Sequence, residues 1–180
     1  SVVEEDTAFG PENLGLSSEE IRTRVREALL EVGLWEKRKL PVSSLSGGQK
    51  QRLALAGVLA IKPGALLLDE AMSMLDPESR KSFLDLIRRE HKAGRTIVQV
   101  THRLEETTSS DRTVVISDGE IFWQGRTEDF LSMPKDKLNE MGFAKPPVSV
   151  LRDELVKSAM IPPGTLPEIE DIREKLCLYA

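Results

Sequence analysis

Apolar residues recur at helical spacing twice between Ser17 and Gly64. Ile21, Val25, Ala28, Leu29 and Val32 form one stripe, with Ser17 or Ser18 placed to cap it and Gly33 to end it, which predicts a helix running to Val32. A more apolar helix is predicted after Leu45-Ser46-Gly47-Gly48-Gln49, closed by Lys62-Pro63-Gly64. The period then shortens. Ala65 to Leu68 reads as a short buried strand ending in Asp69-Glu70, and the β-branched run Thr96 to Thr101 as a second strand ending at His102. Between them Asp76-Pro77 has the cap and first-turn chemistry of a helix start, and Gly94 that of a helix end. Strand, helix, strand with about 25 residues between strand ends predicts a βαβ unit with parallel strands. Thr113 to Ser117 and Glu120 to Gln124 flank Asp118-Gly119 as a hairpin. Residues 1 to 16 are polar and turn-rich, a poor start for a domain. From Thr127 short helical patterns alternate with Pro134, Pro146-Pro147 and Pro162-Pro163-Gly164, and Thr165 with Glu168 fits a capping box opening the last helix.

Composition narrows the class of protein. With 180 residues, 39% hydrophobic and 31% charged, the chain suits one α/β domain with an appended piece. A net charge of −5 argues against a surface dedicated to nucleic acid or anionic lipid. The longest run without polar side chains, Leu53 to Ile61, is half of what a membrane helix needs. The N-terminus has no signal-like pattern and Cys177 is alone, so the expected compartment is cytosolic.

In open α/β sheets ligands bind at the carboxyl ends of the strands, which makes Asp69, Glu70 and His102 a candidate group on one rim. Ser46 and Gln49 satisfy a capping box, yet two glycines weaken the first turn and Lys50 and Arg52 bring positive charge towards it. An anion bound there would explain both features, so a plain cap and a phosphate site stand side by side. Asp69 and Glu70 are either solvated loop acids or a Mg²⁺ holder and a water-orienting carboxylate for γ-phosphate attack. His102 alone reads equally as a structural strand-end histidine, and His91 only as a favourable helix C-terminal charge.

Taken together, Leu45-Ser46-Gly47-Gly48-Gln49, Leu66-Leu67-Leu68-Asp69-Glu70, Ser73-Met74-Leu75-Asp76 and Thr101-His102 resemble, in order and spacing, the nucleotide-binding subunit of ATP-binding cassette transporters. They look like the signature motif, the Walker B strand with its catalytic glutamate, the D-loop and the switch histidine. The resemblance implies two subunits sandwiching two ATP molecules, with Ser46, Gly47, Gly48 and Gln49 on the γ-phosphate held by the opposite subunit. It also implies Asp69 on Mg²⁺ through water, Glu70 and His102 as catalytic groups, and Asp76 in the D-loop.

Val3 to Asn13 looks like the segment after the Q-loop in energy-coupling-factor importer ATPases of the cobalt, nickel or vitamin type. The tail from Thr127 is similar to the dimerising C-terminal extension of the same subfamily. Ala71-Met72 stands where that family usually has Pro-Thr, and Arg103 where an acid is common.

The expected fold is therefore the C-terminal part of a P-loop (RecA-like) α/β ATPase core with a helical signature subdomain and a small helical extension. Residues 1–64 would be the post-Q-loop segment and signature subdomain, 65–126 the core and 127–180 the extension. Expected ligands are ATP and Mg²⁺. Expected partners are a second ATPase subunit and integral membrane transporter components at the cytoplasmic membrane face, with no nucleic acid.

No G-x-x-x-x-G-K-[S/T] pattern occurs in the 180 residues, which suggests a fragment unable to turn over ATP alone, with apolar sheet faces left uncovered. Two alternatives remain: a non-catalytic interaction or dimerisation fragment, and a chromosome-maintenance or DNA-repair type ATPase head. The second lacks heptads and basic surface here.

Overall fold

The computed structural model describes residues 1–165 and 169–179, which form two compact units, Ser1–Val100 and the chain from Thr101 onward.

In the first unit three helices, α1 (Val3–Asn13), α2 (Ser18–Glu31) and α3 (Gly47–Ala60), pack together ahead of strand β1 (Ala65–Asp69), helix α4 (Pro77–Lys92) and strand β2 (Thr96–Val100). The strands β1 and β2 pair in parallel, Leu66 opposite Ile97 and Asp69 opposite Val100. Leu29, Leu34, Leu53, Ala56, Leu66, Met72 and Phe83 are buried in one hydrophobic core. Ser17 caps α2 by accepting the Glu20 amide, as the pattern predicted.

Two local expectations change. The first sixteen residues are not a loop: α1 runs to Asn13, with Val3, Thr7, Ala8 and Pro11 buried on one side. Local propensity at Gly10-Pro11 favours a turn, but packing against α3 overrides it. A Cβ on Gly10 would lie 2.8 Å from Ile61 Cγ1, so the glycine permits close approach. The Val2 amide donates to the Glu5 carboxylate at 3.1 Å, which supplies one N-terminal partner.

The second change is in β1, read as a buried strand but buried on one face only, its other face uncovered as was also expected. Leu66 is buried and Leu68 half-buried towards the core, whereas Leu67 is 72% and Val98 51% exposed. Among the described residues this sheet has two strands and packs through one face, so alternate residues point to solvent.

In the second unit β3 (Arg112–Ser117) and β4 (Glu120–Arg126) form the predicted antiparallel hairpin. Asp118 and Gly119 both adopt positive φ, 51° and 81°, as the tightest hairpin turns require. Among the described residues, helices α5 (Thr127–Leu131), α6 (Lys135–Glu140), α7 (Pro147–Lys157) and α8 (Ile169–Tyr179) follow. Leu104, Val115, Phe130, Leu131 and Leu138 form the core, with Trp123 and Phe143 against Phe130.

Lys145 is buried against the Asp153 carboxylate and the Met133 carbonyl, and Arg152 donates to Ser132 at 3.0 Å, so the buried cations are paired. Of the residues read as a capping box for the last helix, the Thr165 hydroxyl donates instead to the Pro162 carbonyl, and Glu168 lies outside the described residues. No helix among the described residues is long and apolar enough to cross a membrane.

Candidate functional site

Ser46 is the N-cap of α3. Its hydroxyl oxygen accepts the Gln49 amide at 3.3 Å, and Gln49 Oε1 accepts the Ser46 amide at 3.1 Å, so both halves of the capping box are formed. The cap does not use up the donors. The amides of Gly47 and Gly48 have no acceptor among the described residues, and Ser46 and Gly47 are exposed. The Ser46 hydroxyl hydrogen also remains available to donate. This donor set, on the positive end of a helix, fits a phosphate oxygen.

Arg52 does not belong to the first turn. It is the sixth helical residue, and its Nη2 donates to the Ser82 hydroxyl on α4 at 2.6 Å. Its charge ties two helices together and supplies no argument about an anion.

The N-terminus of α4 abuts that of α3. A Cβ on Gly48 would sit 2.7 Å from Ser79 Oγ and 3.1 Å from Ser79 Cβ, so this glycine lets the two helix starts approach closely. Asp76 caps α4, its Oδ1 accepting the Glu78 amide at 3.1 Å and the Ser79 amide at 3.0 Å. Just upstream, Met72 and Leu75 are buried while Ser73 and Met74 are exposed, and Arg80 Nη2 holds the Leu75 carbonyl at 2.8 Å. Met72, a departure from the family pattern, thus anchors this loop in the core.

The Ser79 hydroxyl and amide hold the Asp76 carboxyl below its ordinary value of 3.8, with the Glu78 amide adding to the effect. A lowered folded value means the cap contributes fully above pH 3.8 and fades as pH falls below it. The wild type is therefore expected to lose thermal stability relative to Asp76→Asn as the pH falls below 3.8, because asparagine accepts the same amides without titrating. Parallel melting curves for the two proteins over that range would remove Asp76 from the cap.

Asp69 ends β1 and Glu70 follows it; both are exposed. The Glu70 amide donates to the Val100 carbonyl at 3.0 Å, and its own carbonyl accepts the Ser73 amide at 3.0 Å. Its φ is 45°, in the left-handed region. Among the described residues three other non-glycine residues share that region, and each has a local reason. Lys62 and Ala159 stand just past helix ends and Asp118 in the hairpin turn, whereas Glu70 comes directly off a strand. Such a conformation costs about 1–3 kcal/mol and persists only where the surroundings impose it.

No group of three or more His, Cys, Asp or Glu able to hold a metal exists among the described residues. A single exposed carboxylate such as Asp69 suits Mg²⁺, which keeps most of its water and takes few protein ligands.

His102, in the second unit, is exposed and is followed by a 3₁₀ turn, Leu104–Glu106. Thr101 Oγ1 donates to Glu106 Oε2 at 2.7 Å and accepts the Arg103 amide at 3.1 Å.

The structure thus brings Ser46–Gln49 beside Asp76–Ser79, and sets Asp69-Glu70 against the end of β2. Ser79, Ser82 and Glu106 were not legible beforehand. The only available signal was the second glycine of a helical first turn, where alanine would favour the helix.

The ABC transporter family profile matches residues 1–73. The chain is 41% identical over 178 residues to the energy-coupling factor transporter ATP-binding protein EcfA1 of Caldanaerobacter subterraneus subsp. tengcongensis, covering 98% of this chain and 64% of that one. To the EcfA protein of Methanosarcina acetivorans it is 46% identical over 153 residues, 85% of this chain and 55% of the relative. Among solved structures it is similar to CbiO1 of Clostridium perfringens, described as part of the ABC transporter complex CbiONQ. The TM-score there is 0.70 at 32% identity, over 85% of this chain and 61% of that one. The chain therefore spans less than two thirds of the length of these relatives. Its likeness is to the ATP-binding subunits of ABC transporters, and within them to those of the energy-coupling-factor type.

Proposed function

We propose that this chain is part of an ATPase subunit that energises a membrane importer of the energy-coupling-factor type. The observation that carries the reading is the N-terminus of α3. Ser46 caps the helix yet keeps a hydroxyl hydrogen, and the Gly47 and Gly48 amides lack acceptors among the described residues. Ser46, Gly47, Gly48 and Gln49 would meet the γ-phosphate of a nucleotide held by a second subunit, and Asp76, at the neighbouring helix start, would line the same junction.

Asp69 would hold Mg²⁺ through water, Glu70 would orient and deprotonate the attacking water, and His102 would act as a hydrogen-bonding group towards the phosphate. Bound MgATP supplies the phosphoryl group and neutralises part of its charge. On this reading residues 1–64 are the signature subdomain, 65–126 the core and 127–180 a dimerising extension. The complete assembly would sit at the cytoplasmic membrane face on integral membrane partners that select the cargo, a metal ion or a vitamin.

One observation favours a non-catalytic role for the 180 residues by themselves: they contain no phosphate-cradling P-loop pattern. The chain alone is expected to show no Mg²⁺-dependent ATP hydrolysis, since positioning of the β- and γ-phosphates is most of this chemistry. Extension at the N-terminus by a P-loop-bearing segment matched to its relatives is expected to give Mg²⁺-dependent turnover. A folded extended protein that dimerises but never hydrolyses ATP would leave the interaction reading standing and remove the catalytic one.

A further inference from the structure

His102 is flanked by two residues that are tied to one buried carboxylate. The Thr101 hydroxyl donates to Glu106 Oε2 at 2.7 Å, and the same hydroxyl oxygen accepts the Arg103 amide at 3.1 Å. Arg103 Nε lies 3.8 Å from Glu106 Oε1. The Glu106 side chain is 4% exposed, and its amide closes the turn by donating to the Arg103 carbonyl at 3.1 Å.

A carboxylate buried to this extent is unfavourable unless it is paired and hydrogen-bonded, and here its partners come from both sides of a single exposed histidine. Leu104, buried in the core of the second unit, already anchors the turn. The acid is therefore not needed for apolar packing. What it adds is a fixed conformation for the peptides before and after His102.

We propose that Glu106 is the positioning residue for His102, holding the histidine loop rigid through Thr101 and Arg103 so that the imidazole is presented in one orientation. The inference rests on the reading of His102 as a site residue given above. Glu106 is buried and acts through Thr101 and Arg103. It removes from the reaction the entropy of ordering an exposed side chain on a loop.

The first arm of the test reads the loop itself in the 180-residue chain. Glu106→Ala and Thr101→Val are each expected to speed exchange of the Arg103 amide by about tenfold or more, with the hairpin amides unchanged, while Thr101→Ser keeps wild-type protection. The second arm uses the P-loop-bearing subunit assembled with its partners. There Glu106→Ala is expected to lower kcat at least about tenfold, with the KM for ATP changed less than twofold, and Thr101→Val to match it. In a His102→Ala background neither change should have further effect, a non-additivity that a merely structural role would not produce.

If Glu106→Ala fails to fold, Thr101→Val, which removes only the hydroxyl bridge, carries both arms. Unchanged Arg103 exchange, or losses that multiply in the double variants of an active subunit, would overturn the proposal. An assembled wild type without ATPase activity would instead remove the functional reading, and the positioning role with it.

Discussion

Glu70→Gln in a subunit that carries a P-loop is expected to lower steady-state ATP turnover by about 10²–10⁴-fold while leaving nucleotide binding intact. The amide keeps the size and hydrogen-bonding reach of the carboxylate but cannot take a proton from the attacking water. Two features of the structure set Glu70 apart from an ordinary solvated acid. It leaves β1 in the left-handed region, and its backbone is held on both sides by the Val100 carbonyl and the Ser73 amide. Removing the charge should relieve none of that backbone geometry, so the variant should fold and accumulate as an ATP-bound dimer. Measurement of single-turnover and steady-state hydrolysis beside ATP binding checks this. Near wild-type turnover would reduce Glu70 to a structural acid at a strained strand end.

Ser46→Arg should abolish ATP-driven dimerisation, and in a mixed dimer it should disable the site whose P-loop lies on the unmodified partner. The structure sharpens the contrast with a simple cap. Both bonds of the capping box at Ser46 are formed, so Ser46→Ala should cost on the order of 1 kcal/mol of stability within its own subunit. A large cation at the same exposed position instead fills the space in front of the Gly47 and Gly48 amides. Nucleotide crosslinking in heterodimers separates the two effects. Loss at the modified subunit's own P-loop, or only a lowered melting temperature with both sites intact, would assign Ser46 to capping alone.

Much of this architecture was legible because its signals are local. Asp76-Pro77 starts α4 since the side-chain oxygen reaches amides two and three residues on, and proline lacks the donor that a first turn leaves unused. Asp118-Gly119 makes the hairpin turn because both residues tolerate positive φ. The parallel pairing of β1 and β2 follows from a helix-length crossover. Where the reading of local pattern failed, a distant contact had outweighed it. Gly10-Pro11 reads as a turn but is helical because α1 lies against α3, and Arg52 reads as a first-turn charge but bonds Ser82 thirty residues away.

The order of the elements, their caps and the spacing of the four motifs can be read along the chain, since each depends on residues within a few positions of one another. Which of those motifs touch, and what holds them, emerges only on folding. Gly48 makes room for Ser79, Met72 seats the loop after Glu70, and Glu106 gathers the residues around His102. The reason is physical: caps, turns and periodicity act over one or two turns of chain, whereas close packing and the pairing of buried polar groups arise only when distant segments exclude water together.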